Sequence, residues 1–361
     1  MKPRRTLSIL LPGLLFPLLL VAETLTIASW GGSYLRSQML GFIRDFEEAT
    51  GVRVEIVEYS GGIDPIRSQV RSYNVRWDVV DMELFDAIRA NEEGLLHPID
   101  ANSLDPGSDG TPASEDFIDG SLLGFGVGNI LFSTVFAYDE SSSRQAPASI
   151  QDFFNLREFP GERALRLTPV GNLEWALLAD GVAPEAVYDT LETEAGVQRA
   201  LRKLDTVKHV TRWWTDGEQP VAWLENGDVA IASLYHGRAY SAVQRGASLA
   251  ILWDRQITYK NVWAIPQNVR NPELALKFIR FATSTESLGQ QTRYIPYGPM
   301  RRSSLELVPD SVYPYLPTTE GKLDQAFTSD PAWWSENLER IQPRFDRWHR
   351  TPTRVPDRLR R

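Results

Sequence analysis

The chain has no cysteine in its 361 residues, which excludes disulfides, thiolate metal sites and a thioether-linked lipid anchor. Histidine is scarce too. His97, His209, His236 and His349 stand apart, without the short spacings that metal ligands use. No Gly-x-Ser-x-Gly elbow occurs, and without a cysteine no nucleophile with its base is legible, which argues against a hydrolase. Positive charge is the minority sign, 38 Lys and Arg against 47 Asp and Glu, for a formal net charge of −9. An acidic surface disfavours nucleic acid and mildly favours the encounter of cationic solutes. Beyond the N-terminus no apolar run approaches the length of a membrane span, and there is no internal repeat, low-complexity stretch or long linker.

What is present is a globular composition, 42% hydrophobic and 24% charged, in a chain long enough for two lobes with substantial cores. The N-terminus reads as a Sec-type leader: Lys2, Arg4 and Arg5, then an apolar stretch from Leu7 to Val21 broken by Pro12 and Pro17, then Ala22 at the expected cut. Its removal takes three positive charges with it. The expected mature protein is more acidic by that amount and lies in the periplasm.

The mature region opens with strand-like Leu25–Ala28, a Trp30-Gly31-Gly32-Ser33 turn with Ser33 as the expected N-cap, and a helix whose inner face is Leu35, Met39, Phe42, Ile43 and Phe46. Gly51 should end that helix, and Val52, Val54 and Ile56 alternate as a second strand. This is the strand–helix–strand unit of parallel α/β sheets. A further helix through Ile66 and Val70 leads to a strand at Trp77–Val80. Ligands of such sheets lie at the carboxyl ends of the strands, where Trp30 and Asp81 fall. The apolar run Ile130–Phe132 and Val135–Tyr138 suits a crossing strand, and helices are expected at 149–154, 174–179 and 196–208. Asn271-Pro272-Glu273 is a helix start, with Leu274, Ala275, Phe278, Ile279 and Ala282 inward. Residues 331–348 form an expected terminal helix, and Trp213-Trp214 and Trp333-Trp334 read as packing residues. The Arg-rich tail from Thr351 is expected to fray.

Taken in order, several segments resemble the extracellular solute-binding proteins of the spermidine/putrescine type that serve ABC importers. They are Trp30–Tyr34, Trp77–Glu83, Asp152–Phe154 with Phe159-Pro160-Gly161, Glu174–Gly181, Trp213-Trp214, Tyr235–Arg238, Trp263–Pro266 and Tyr297-Gly298-Pro299. The resemblance implies an α/β, two-lobed periplasmic-binding-protein fold with crossing hinge strands and one ligand cleft, no catalysis, no cofactor and no metal. Its implied boundaries are a leader at 1–22, a first lobe at 23–132 and 258–305, a second lobe at 133–257, and a C-terminal segment at 306–361. It implies hinged closure on the ligand, docking of the closed form on the importer's membrane subunits, and a monomer.

The polyamine members of the family are similar in presenting an aromatic box capped by carboxylates. Carried over, Trp30 and Tyr34 match the first wall, Asp81 and Glu83 follow the third strand, and Glu174 matches a carboxylate of the second lobe. Tyr235 closes the box, Tyr259 and Asn261 lie by the crossover, and Tyr297 is a late aromatic contact. Aromatic faces attract ammonium groups by about 0.5–2 kcal/mol each, and carboxylates make charge-assisted bonds to a desolvated amine. The ligand implied is a polyamine or related cationic amine. Two positions depart from that pattern: Gly171 and Asn261 stand where polyamine receptors carry acids, and both losses weaken the case for a dication. A carboxylate or sugar-like solute is the alternative, with Arg238 facing the cleft. A ferric-ion receptor is disfavoured, because no two tyrosines are adjacent.

Overall fold

The computed structural model describes residues 23–141 and 145–352; the expected leader and the tail beyond residue 352 lie outside them. Eleven strands form one mixed sheet. They are β1 Thr24–Ser29, β2 Arg53–Glu58, β3 Val79–Glu83, β4 Leu122–Leu123, β5 Gly126–Asp139, β6 Arg163–Arg166, β7 Thr211–Trp214, β8 Ile231–Tyr235, β9 Leu249–Ala264, β10 Gly298–Pro299 and β11 Phe327–Thr328. The main order is β2-β1-β3-β9-β5-β8-β6-β7. Each end is a three-stranded parallel set. The middle is a pair of long antiparallel strands, β5 and β9, that run from one set to the other.

The first unit folds much as its periodicity requires. β1 and β2 pair in parallel along six positions, from Thr24↔Arg53 to Ser29↔Glu58. The connecting helix is not uniform. It runs Gly32–Gln38, widens into a π turn at Met39–Ile43, and resumes at Arg44–Thr50. The wider turn rotates the helix face. Tyr34, Ser37 and Gln38 are buried before it, and Phe42 and Ile43 within it and Phe46 after it are buried in the first lobe's core. Gly41 lies in that turn against the backbone of Gln291, where a Cβ would come within 2.9 Å. Gly51 closes the helix in the left-handed region, φ 71°. Ser33 is not the N-cap; Gly31 is, at φ 67° with no side-chain bond, and Ser33 is engaged elsewhere.

β5 and β9 pair from Val127↔Trp263 to Asp139↔Leu249, with register shifts at Gly128/Ile130 and Thr134/Phe136. The second shift comes where β5 begins to pair with β8. Such irregularities bend and twist a strand, and here they turn the sheet between its two ends. Ser133 pairs Thr258, so the junctions 132–133 and 257–258 meet at that one pair on the two crossing strands.

Each lobe has its own apolar core. The first is built on Leu25, Ile27, Phe42, Phe46, Trp263 and Phe278, and the second on Phe136, Phe153, Trp175, Leu201 and Leu204. Burying each of the larger side chains contributes about 1.5–3 kcal/mol. The helix Pro331–Arg350 is capped by Asp330 and places Trp333, Trp334, Ile341 and Phe345 in the second core. It also reaches the first lobe, where Arg89 meets Glu339 at 3.2 Å. Among the described residues, no helix is long and apolar enough to cross a membrane.

Candidate functional site

A small cavity lies between the lobes, lined by Trp30, Tyr34, Glu83, Ile130, Phe132, Tyr235, Arg238, Asn261 and Tyr297. Its walls follow from strand ends. Trp30 and Tyr34 come from the turn and helix after β1, Glu83 ends β3, and Tyr235 ends β8. Ile130 and Phe132 project from β5 and Asn261 from β9, where Asn261 is paired with both Ile130 and Glu83. Phe132 is the hub of the aromatic wall. Its ring centroid lies 5.6 Å from Tyr235, 5.5 Å from Tyr259 and 5.9 Å from Tyr297, and Tyr34 lies 5.5 Å from Tyr297.

Charged groups join the lobes around this cavity. Arg166, at the end of β6, donates from Nη1 to Glu83 Oε1 at 2.8 Å. Its guanidinium lies 5.8 Å from the rings of Trp30 and Tyr235 and 6.0 Å from Trp214. Burial works against its charge, but the Glu83 carboxylate outweighs burial and holds the guanidinium protonated. Glu218 reaches across from the second lobe to accept from Ser33 N–H at 2.9 Å and from Ser33 Oγ at 3.0 Å. Arg238 anchors Glu218 and donates from Nη2 to the Trp30 carbonyl at 3.2 Å. Burial raises the Glu218 carboxyl, but Arg238 and the Ser33 bonds prevail and hold it below the usual range. A side chain at Gly32 would collide with both Arg238 and Glu218, and Gly32 also has φ 58°.

Six of the nine residues singled out from the sequence, Trp30, Tyr34, Glu83, Tyr235, Asn261 and Tyr297, line this cavity. Three do not. Asp81 is fully buried behind it, accepting from Tyr34 Oη at 2.6 Å, Gln38 Nε2 at 2.8 Å and Asn261 Nδ2 at 2.8 Å. Burial pushes this carboxyl up to about 6, against the pull of those donors. Glu174 is committed to structure. Its Oε2 accepts from Gly171 N–H at 2.8 Å, closing the helix Asn172–Ala179, and its Oε1 accepts from Trp334 Nε1 at 2.6 Å. Burial raises it to about 7. Tyr259 borders a second, larger space, with Leu131, Thr258 and Lys260, and Glu83 borders both.

Arg166, Phe132 and Glu218 were not singled out from the sequence. Arg166 ends a parallel strand, so the strand-end argument that found Trp30 applied to it as well; for Glu218 no local signal exists. Trp214, read as packing, also faces Arg166, whereas Trp213 packs on Phe345 and Trp348. Gly171 has φ 82°, and a Cβ there would stand 2.7 Å from the Tyr259 hydroxyl, so this backbone does not admit an acid. His236 is buried between Ser133 N–H and the Pro296 carbonyl and is held neutral, its pKa lowered to about 4 by burial. Among the described residues, no group of three or more metal-ligating side chains comes together.

Three buried polar atoms of the lining residues have no partner: Trp30 Nε1, Arg238 Nε and Asn261 Oδ1. Arg238 Nε lies against Gly217. The other two are a donor and an acceptor left over at one cavity, which is what a ligand with both an acceptor and a donor would complete.

The family model described as bacterial extracellular solute-binding protein matches residues 41–318. A gamma-aminobutyric acid-binding protein of Pseudomonas aeruginosa is 38% identical over 91% of this chain and 91% of its own. A spermidine/putrescine-binding periplasmic protein of Salmonella typhimurium is 25% identical over 67% of this chain and 68% of its own. The solved Atu4243-GABA receptor superposes with a TM-score of 0.80 at 26% identity, covering 92% of this chain and 99% of that one.

Proposed function

The chain belongs to the bacterial extracellular solute-binding proteins, which are binding proteins and not enzymes, and we propose that it delivers a small zwitterionic amino acid of the γ-aminobutyrate class to an ABC importer. The carrying observation is the pair of orphan groups at one cavity: Trp30 Nε1 asks for an acceptor and Asn261 Oδ1 asks for a donor. A carboxylate and an ammonium on one short chain meet both demands. The charged groups at the cavity support a ligand without net charge. Glu83 is already paired with Arg166 and Glu218 with Arg238, so a dication would enter with no free counter-charge.

The polyamine reading drawn from the resemblance gives way to this one. Glu174 is spent on Gly171 and Trp334, Asp81 on three donors of its own lobe, and position 171 has no room for an acid. The aromatic wall of Tyr34, Phe132, Tyr235 and Tyr297 then covers the methylenes and favours the ammonium.

The mechanism is closure about the crossing strands, with the hinge at the adjacent positions 132–133 and 257–258. Ligand favours the closed form through contacts made to both lobes at once. The importer's membrane subunits then receive the closed form, a monomer working in the periplasm. Calorimetric titration of ligand-stripped protein with γ-aminobutyrate, β-alanine, 5-aminovalerate, butyrate, putrescine and spermidine tests this. The expected result is binding of the amino acids alone. Binding of putrescine or spermidine at equal or greater strength overturns the proposal.

A further inference from the structure

Asp81 does not border the cavity, yet everything it touches does so or supports what does. Its Oδ2 accepts from Tyr34 Oη and Gln38 Nε2, and its Oδ1 accepts from Asn261 Nδ2 at 2.8 Å. Gln38 is itself fixed at its other end, where Oε1 accepts from Ser29 Oγ at 2.6 Å. The Gln38 amide therefore has one orientation, and Asp81 is presented to Asn261 as a carboxylate with nothing to donate.

A side-chain amide is nearly symmetric in shape but not in chemistry. Were the Asn261 amide reversed, its oxygen would face Asp81 Oδ1 acceptor to acceptor, and a bond to a charged group would be replaced by repulsion. The carboxylate thus holds Asn261 one way, nitrogen toward Asp81, which leaves Oδ1 of this cavity-lining residue buried and unpartnered. Tyr34 is constrained by the other oxygen of the same carboxylate, since its hydroxyl hydrogen is spent on Asp81 Oδ2. Glu83, the strand partner of Asn261, adds a second acceptor beside it. With Glu83 Oε1 already taken by Arg166, the unpartnered group at this corner is the Asn261 Oδ1 acceptor.

We propose that Asp81 is a positioning residue for specificity: by fixing the Asn261 amide it presents an acceptor at this corner and selects ligands that bring an N–H donor there, a primary ammonium in place of a carboxylate. The inference rests on the small-amino-acid reading and names which end of the ligand lies at Asn261.

Two readouts test it. The first is the ratio of dissociation constants for glutarate and γ-aminobutyrate, which share a carboxylate and three methylenes and differ in ending in a second carboxylate or an ammonium. In Asp81→Asn the Asn261 amide is free to turn, and the ratio should fall at least tenfold. In Trp30→Phe, which removes the Nε1 donor assigned to the carboxylate that both ligands share, both should weaken together and the ratio should hold. An Asp81→Asn protein that weakens both ligands equally, or neither, overturns the proposal. The second readout needs no ligand. The Asn261 side-chain NH₂ in ¹⁵N-asparagine-labelled protein, assigned by its loss in Asn261→Asp, should exchange slowly in the wild type and faster in Asp81→Asn. Wild-type exchange as fast as that of an exposed amide overturns the proposal even where Asp81→Asn does not fold. If the wild type binds neither ligand, the small-amino-acid reading fails on its own and the exchange measurement alone decides the role of Asp81.

Discussion

Glu218→Gln probes closure without altering shape. The native carboxylate accepts two hydrogen bonds from Ser33 across the cleft, at 2.9 and 3.0 Å, and one of them satisfies a first-turn N–H of the helix Gly32–Gln38. Glutamine keeps an acceptor of the same reach, so what disappears is charge: the pairing with Arg238 and the charge assistance of both bonds to Ser33. Hydrogen bonds to charged groups contribute about 1.5–3 kcal/mol and neutral ones about 0.5–1.5, so two such bonds lose roughly 2 kcal/mol. Both Ser33 contacts exist only when the lobes meet, and the loss falls on the closed form. If closure and binding are coupled, that is a rise of about 30-fold in the dissociation constant for γ-aminobutyrate. Glu218 is partly exposed even in the closed form, with 37% of its side-chain surface open, so the ligand-free melting temperature should barely move. Isothermal titration and a ligand-free thermal melt give both numbers. A change below threefold in affinity, or a ligand-free protein destabilised by the full amount, would refute the latch.

Two further outcomes follow from the same geometry. Trp30→Phe keeps the ring against Tyr59 and Arg166 but removes the orphan Nε1 donor; by titration calorimetry, affinity for γ-aminobutyrate should fall by about 1 kcal/mol, near fivefold. Glu174 titrates near 7 in the folded protein because burial disfavours its charge. A raised carboxyl stabilises the fold fully below its unfolded value and loses that contribution as pH rises through 7. The window between pH 6 and 8 should therefore cost the wild type about 1.4 kcal/mol through this group. Asp81 and His236 titrate alike in the wild type and in Glu174→Gln, so the difference between the two urea-unfolding profiles isolates it; parallel profiles would remove the assignment.

Much of the fold was legible because its patterns are local. Leu25 to Ala28, the 3.6-residue face through Phe42 and Phe46, and Gly51 each declare their element by spacing or by backbone freedom. Asn271-Pro272 declared a helix start in the same way, and Asn271 does cap it. The candidate site was half legible. Strand ends point to a cleft, which located Trp30, and the family resemblance supplied Glu83 and Tyr235. The same argument reached Asp81 without revealing that it lies two residues back along β3, on the same side but under Tyr34 and Gln38. The π turn that brings Gln38 over Asp81 has no sequence signature read here. Glu174 looked like a ligand carboxylate until its partners, Trp334 and Tyr188, arrived from more distant parts of the chain.

The sequence by itself determined what depends on neighbours within a few residues: the strand–helix–strand units, the absence of thiol chemistry, and the aromatic and acidic residues available at strand ends. Tertiary structure alone decided which of those acids are free. Arg166 meets Glu83 across 83 positions, Glu218 meets Ser33 across 185, and Asn261 meets Asp81 across 180. Those pairings are absent from any local pattern, because hydrogen bonds and charge pairs act over a few ångströms in space and are indifferent to separation along the chain.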